Sequence, residues 1–277
     1  MDAAYVPIVI STDLSVGPNR FVLGLLDRED KQALGADLHL RFFSLEGGTV
    51  LKFETDAKPI RLNRSFTHTH NDGTIESHEA GETGVYVAGA EFETAGQWGV
   101  EVSGVLDGRD LEAVTTQFPV RAESFSPAIG DLAPRSVQPI LSDVSDIKAI
   151  DTSETPIPGM HDQTIADAVA SGRPTVIVFA TPAFCVSQIC GPSKQIVDEL
   201  FETYKAQANF IHVEPYDVAK ARAGDLEPLP LIEDEWGLQT EPWIFVIDGE
   251  GAIAAKFEGV VSREEVEDAL KAVVAGA

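Results

Sequence analysis

Short runs of apolar residues that alternate with polar ones dominate residues 1–123 and predict β-strands. The alternation is clearest at Leu38, Leu40 and Phe42, where every second residue is apolar. Turn-forming pairs such as Asp107–Gly108 separate the runs. Several strands at regular spacing, with no helical period between them, are typical of an antiparallel β-sandwich. The pattern therefore predicts an all-β sandwich over residues 1–123.

The composition changes over residues 124–160, where periodicity is weak and prolines accumulate. A stretch of this kind is typical of a linker or an extended lead-in rather than of a packed element. Five prolines lie in it: Pro127, Pro134, Pro139, Pro156 and Pro158.

Helix and strand patterns alternate in the last segment, residues 161–277. The run PTVIVFAT is continuously apolar and predicts a strand buried on both faces. Glycines at Asp248–Gly251 mark a hairpin turn. A closing helix follows Ser262, with Glu265 three residues on, which is the capping-box arrangement. The order helix, strand, helix, strand, hairpin, helix predicts an α/β layer domain.

Length and charge narrow the classes of function. The 277 residues suffice for two domains, and the formal net charge of −25 argues against nucleic acid or an anionic membrane surface as partner. No apolar run approaches the ~18–20 residues that span a bilayer, so no membrane-spanning segment is predicted in this chain.

The chain has two cysteines, Cys185 and Cys190. Pro192 suits the first turn of a helix and favours a helix that begins near Cys190, which leaves Cys185 in the preceding loop. From those positions the two can approach the ~4.4–6.8 Å Cα separation of a disulfide. A thiolate at a helix N-terminus is stabilised by free backbone N–H groups. We interpret the cysteines as one functional pair, either bridged or sharing a metal; a structural disulfide or two small buried hydrophobes is the alternative.

The residues around this pair resemble the thioredoxin family. A buried strand, then Pro-Ala-Phe-Cys, then a long amphipathic helix is similar to the thioredoxin active-site element. The segment 241–249, EPWIFVIDG, is similar to the second signature of that fold. The resemblance implies a thioredoxin-like fold for residues 161–277. It also implies that Pro242 is cis, faces the active-site cysteine and belongs to the catalytic site.

The cysteine spacing departs from the family. Thioredoxins carry Cys-x-x-Cys, whereas four residues separate Cys185 from Cys190. Counted from the strand, Cys185 occupies the position of the exposed thiolate. By local sequence, Cys190 with Gly191, Pro192, Ser193 and Lys194 resembles the family motif with serine at its second cysteine. The sequence leaves both alignments open.

A second, weaker resemblance concerns the N-terminal strands. Residues 95–100, AGQWGV, precede a strand as in the immunoglobulin-like modules of the YtkA type found in exported bacterial proteins. The resemblance implies an immunoglobulin-like sandwich and an extracytoplasmic location, periplasmic or at the cell surface, with an export signal removed.

Four histidines are candidate metal ligands. His68, His70 and His78 cluster in one predicted loop, where imidazoles could converge on Cu(II); an exposed polar hairpin is the alternative. His212 lies in a predicted strand and would be a structural residue unless it assists the cysteines, as a distant histidine does in Sco-type copper proteins.

Two functions follow as hypotheses. The first is an exported thiol–disulfide oxidoreductase that needs no cofactor, in which Cys185 and Cys190 exchange with a dithiol or disulfide of a protein partner, and Phe184 and Trp243 flank the receiving surface. The alternative is a copper-binding protein or metallochaperone that serves another copper protein. There the cysteines, with His212, hold Cu(I) and the histidine loop captures Cu(II). A binding module with a vestigial redox site is a third option.

Overall fold

The computed structural model describes residues 4–69, 75–187 and 189–276, with side chains outside positions 63–69 and 75–81. The chain divides into two compact units. The first consists of Met1–Leu62 with Glu82–Ser124, and the second contains Phe125–Ala277. Among the described residues, no helix is both long enough and apolar enough to cross a bilayer.

Seven strands in a row build the first unit, in the order β1-β2-β5-β4-β3-β6-β7. The neighbours whose register is described pair antiparallel. The strands are β1 Tyr5–Val9, β2 Gly17–Asp27, β3 Asp37–Ser44, β4 Val50–Thr69, β5 Ile75–Phe92, β6 Gly96–Leu106 and β7 Arg109–Val120.

Aromatic side chains show how this row of strands folds over itself. The ring of Phe21 on β2 lies 5.0 Å from that of Phe42 on β3 and 5.1 Å from that of Phe118 on β7, centroid to centroid. Because β2 neighbours neither strand in the row, the rings can meet only when the two halves face each other. The predicted all-β sandwich is confirmed.

The second unit is an α/β layer domain around a four-stranded sheet of order β11-β10-β8-β9. β8 and β9 run parallel, and the other two pairings are antiparallel. Its elements are α1 Ile165–Ala170, β8 Thr175–Phe179, α2 Cys190–Tyr204, β9 Asn209–Val213, α3 Val218–Arg222, β10 Trp243–Ile247, β11 Ile253–Glu258 and α4 Arg263–Ala275. The predicted α/β class is confirmed, and α3 adds a helix that the pattern did not indicate.

Hydrophobic side chains cover both faces of this sheet. Every residue of β8 is buried, as its continuous apolar run predicts. Val176 and Val178 point to the face that packs against α2 and α4, whereas Ile177 and Phe179 point to the face with α1 and Trp236. The beginning of α2 is thereby held against the sheet by apolar packing.

Residues 125–160, for which the sequence predicts a linker or lead-in, belong to the second unit. The Gln138 side chain ties this segment to the start of α1, because its Oε1 accepts from the Ile165 N–H at 3.0 Å. Ser136 and Asp151 are almost fully buried. Three single 3₁₀ turns interrupt the segment at Leu141–Asp143, Ile147–Ala149 and Pro158–Met160.

Candidate functional site

The N-terminus of α2 positions Cys190. The helix begins at this residue, so the cysteine occupies its first position, as the sequence predicts. Its side chain is fully buried among the residues that α2 packs against the sheet. Pro192 lies in the first turn, where the missing N–H of a proline costs no helical hydrogen bond.

Cys185 lies in the loop between β8 and α2. Its backbone N–H donates to the Thr181 carbonyl at 3.1 Å, and its Sγ lies 3.2 Å from the Ser187 hydroxyl. The side chain is half-buried, and the next residue, Val186, is 92% exposed. Both cysteines are free thiols. Cys185 is thus the sulfur that faces solvent, and Cys190 lies beneath it.

The two thiols have pKa values shifted in opposite directions. A hydrogen bond from the Cys190 thiol, against the effect of burial, lowers the pKa of Cys185 to about 5, and the Ser187 hydroxyl and the Cys190 and Ile189 N–H groups assist. Burial is the main cause that raises the pKa of Cys190, and the adjacent Cys185 raises it further. Charge on the pair therefore concentrates on Cys185.

Glu241 completes this site. One of its carboxylate oxygens and the two sulfurs all lie within 4.8 Å of one another. Burial, followed by the negative charge of Cys185, raises the pKa of Glu241. The Tyr216 hydroxyl donates to Glu241 Oε2 at 3.3 Å, and burial with the nearby Glu241 raises the pKa of Tyr216 to about 12. The three groups of Cys185, Cys190 and Glu241 could also hold a metal ion.

Pro242 follows Glu241 and adjoins the site. The Glu241–Pro242 peptide bond is cis, as the resemblance implies, and the Pro242 carbonyl accepts from the Gly259 N–H at 2.9 Å. Phe184 is half-buried. Trp243 is only 3% exposed and stacks on Phe245 in the core. The expectation that Trp243 flanks a receiving surface is therefore wrong, because its ring packs inside the domain.

A second cluster of polar side chains lies under α2. Asp151 Oδ2 lies 3.0 Å from Nε2 of His161 and 3.3 Å from Nδ1 of His212, and all three side chains are buried. The other ring nitrogen of His212 donates to the Ala180 carbonyl at 2.9 Å. Lys194 Nζ lies 4.0 Å from the same Asp151 oxygen. The structure thus groups His212 with Asp151 and His161, and not with the two sulfurs.

Charges in this second cluster compensate one another in part. Burial raises the pKa of Asp151, but the His212 charge and the hydrogen bond from His161 outweigh it and hold that pKa well below its usual range. Burial lowers the pKa of His161. Burial opposes the charge on His212 as well, yet the adjacent Asp151 carboxylate raises its pKa. Asp151 is therefore the anion of the cluster.

For His68, His70 and His78 the structure describes little beyond part of the backbone. β4 ends at Thr69 and β5 begins at Ile75, so the backbone of His68 and of His78 is in strands rather than in the predicted loop. His70 and the side chains of His68 and His78 lie outside the described residues. Their convergence on Cu(II) stays a prediction.

The sequence pattern gives several residues of these clusters no functional role. Asp151 lies in a segment without periodicity, and Glu241 only opens its motif. The spacing of Lys194 does predict its position: it follows Cys190 by four residues and therefore lies on the same, buried side of the helix.

The comparison with protein families agrees with this description of the second unit. Residues 161–274 match the family model described as a thioredoxin-like domain. Among solved structures, the filamin domain of Lin-41 is similar at 11% sequence identity, covering 44% of this chain and 95% of that chain, with a TM-score of 0.22. No significant match was found among curated proteins. The fold, the cysteine-headed helix and the family match together identify residues 161–274 as a thioredoxin-like domain.

Proposed function

We propose that the protein is a thiol–disulfide oxidoreductase in which Cys185 attacks and Cys190 resolves. The opposite environments of the two sulfurs carry this proposal. Cys185 is half-exposed and its pKa is lowered to about 5, whereas Cys190 is buried and its pKa is raised. A thiolate that is accessible at neutral pH is the nucleophile of disulfide exchange.

The reaction involves the two thiols of this protein and one disulfide of the partner, and its atoms and electrons balance. The Cys185 thiolate attacks one sulfur of the partner's disulfide and forms a mixed disulfide, and the other partner sulfur leaves as a thiolate. Cys190 then loses its proton and attacks the Cys185 sulfur. The partner departs as a dithiol, reduced by two electrons, and the protein holds a Cys185–Cys190 disulfide. The reverse sequence oxidises a partner dithiol.

The surroundings of Cys185 suit a protein partner. Val186, which follows Cys185 in the chain, is 92% exposed, and Phe184, which precedes it, is half-buried. These apolar side chains offer contact area to an extended chain segment that carries the target disulfide. In this proposal Pro242, which follows Glu241, shapes the surface that receives that segment.

Trapping of the mixed disulfide tests the proposal. A Cys190→Ser variant should accumulate a covalent adduct with a disulfide-bonded test protein, because the second attack is blocked. A Cys185→Ser variant should form none. Equal trapping by both variants, or by neither, would contradict the assignment of roles. Free and unreactive thiols under mild oxidant would contradict the function itself.

Copper binding is the second candidate. The thiolates of Cys185 and Cys190 with the Glu241 carboxylate form a group that could hold a metal ion, and soft thiolates suit Cu(I). Anaerobic dialysis against Cu(I) should then retain about one ion per chain and protect both thiols from alkylation. Retention that persists in the Cys185→Ser, Cys190→Ser double variant would remove this candidate.

We further propose an extracytoplasmic location, for which the resemblance of the N-terminal sandwich to modules of exported proteins is the support. An oxidising compartment would supply disulfides for exchange. Cell fractionation of the native host tests this point, and recovery in the cytosolic fraction alone would contradict it.

A further inference from the structure

The buried cluster of Asp151, His161 and His212 plays no part in the proposed exchange reaction. Each of the three side chains presents one ligand atom, and these atoms all lie within 4.8 Å of one another. We propose that Asp151, His161 and His212 form a binding site for one divalent transition-metal ion, with Zn²⁺ as the representative ion.

The orientation of the His212 ring is the first argument. Its Nε2 must carry a hydrogen, because it donates to the Ala180 carbonyl at 2.9 Å. In a neutral ring Nδ1 then presents a lone pair to Asp151 Oδ2 at 3.3 Å, and Nδ1 has no hydrogen-bond partner. Either a proton on Nδ1 or a metal ion between the two atoms separates these lone pairs, and the orphaned Nδ1 is therefore a candidate ligand atom. A backbone carbonyl that fixes the outer nitrogen of a histidine is also the usual support of a metal ligand.

The charges around the cluster are the second argument. Three carboxyl groups act on it, those of Asp151, Asp198 and Glu214, together with one ammonium group, Lys194. Asp198 binds that ammonium through both oxygens, at 2.9 and 3.0 Å. The negative charge that these carboxyl groups can supply would compensate a divalent cation, which matters because uncompensated charge is costly in a buried site.

A cavity beside His212 is the third argument. A cavity of about 330 Å³ is lined by His212 and Glu214, and by apolar side chains that include Val144, Ile150 and Val213. The cavity therefore adjoins the cluster at His212.

The ligand chemistry selects the class of ion. Two imidazoles and one carboxylate are the protein ligands found at zinc sites that keep an open position, and they also suit other first-row divalent ions. No thiolate belongs to the group, so this site is distinct in chemistry from the cysteine pair.

The test uses the full chain with five substitutions: Cys185→Ser, Cys190→Ser, His68→Ala, His70→Ala and His78→Ala. Of the six histidines in the sequence, His39, His161 and His212 then remain. Equilibrium dialysis against Zn²⁺ should retain one ion per chain. A further His161→Gln substitution should weaken binding at least about tenfold, since even changes to supporting residues cost that much. His39→Gln, a substitution in the first unit, should leave Zn²⁺ binding unchanged.

A spectroscopic measurement guards against misfolding of the histidine variant. Co²⁺ added to the five-substitution chain should produce visible bands of a nitrogen- and oxygen-ligated ion, and Zn²⁺ should displace it and raise the melting temperature. No retained Zn²⁺ and no Co²⁺ bands would overturn the proposal. Zn²⁺ binding that is unchanged in a folded His161→Gln variant would also overturn it.

Discussion

At the scale of single residues, Cys185 and Cys190 show how position decides the chemistry of one residue type. The Cys185 sulfur receives hydrogen bonds from a thiol, a hydroxyl and the N–H groups at the start of α2. The Cys190 sulfur is buried in an apolar core. Hydrogen bonds favour a thiolate and burial disfavours it, so the pKa values separate.

The first prediction concerns the hydrogen bond from the Cys190 thiol, which contributes most to the lowered pKa of Cys185. Cys190→Ala removes the thiol that donates to Cys185, so the Cys185 thiolate loses stabilisation and its pKa rises. The midpoint of the pH profile for alkylation by iodoacetamide should move upward from about 5, by roughly one unit or more.

Ser187→Ala is the matched control, because the Ser187 hydroxyl contributes a weaker hydrogen bond to the same sulfur. Its midpoint should rise by less than that of Cys190→Ala. A midpoint that stays in place, or falls, in Cys190→Ala would show that the buried thiol does not stabilise the thiolate.

The second prediction concerns Glu241, whose carboxylate faces the same sulfur. An anion beside a thiolate raises the pKa of the thiol, so Glu241→Gln should lower the midpoint of Cys185 alkylation. The shift should be less than about half a unit, because the raised pKa of Glu241 leaves its carboxyl group partly protonated at that midpoint. Glu250→Gln, on the exposed turn between β10 and β11, should leave the midpoint in place. An upward shift in Glu241→Gln would mean that the carboxyl group acts mainly as a hydrogen-bond donor.

Residue types and spacing predict one part of the polar sites, the two cysteines and Pro242, because these residues lie next to strongly patterned elements. Asp151 and His212 are 61 positions apart in the sequence, and nothing in their local pattern relates them. Their contact depends on how residues 125–160 pack against the sheet, which a single sequence does not reveal.

At the scale of elements, apolar periodicity and caps predicted most of the second unit. β8, the start of α2, the β10–β11 hairpin and the capping box of α4 all follow from local pattern. Residues 125–160 have no period, and individual hydrogen bonds tie them to the rest of the unit: the Gln138 side chain, for example, bonds to the backbone of Gln163 and of Ile165. The course of such a segment depends on its neighbours.

The third prediction tests the cap of α4. Ser262 Oγ accepts from the Glu265 N–H at 3.2 Å, and Glu265 Oε2 accepts from the Ser262 N–H at 3.0 Å. Ser262→Ala removes the first bond and should lower the free energy of unfolding by about 1 kcal/mol in urea denaturation. Ser262→Asn keeps an accepting oxygen and should lower the free energy of unfolding much less. Equal stability of the Ala variant and the parent would show that the cap contributes nothing.

At the scale of the whole molecule, each unit has a hydrophobic core of its own. Aromatic rings fill the core of the sandwich, whereas the second unit has apolar clusters on both faces of its sheet. A change inside one core should therefore destabilise that unit without changing the chemistry of the other.

The last prediction compares two neighbouring rings on β3. Phe42 is fully buried and meets Phe21 and Phe118, whereas Phe43 is half-buried with the Arg41 guanidinium 5.4 Å from its ring centroid. Phe42→Ala should destabilise the sandwich by about 3–5 kcal/mol, and Phe43→Ala by much less, in calorimetric unfolding. The pH midpoint of Cys185 alkylation should be the same in both variants as in the parent. A shifted midpoint in Phe42→Ala would show that the sandwich influences the redox site, and the two units would then have to be treated as one functional body.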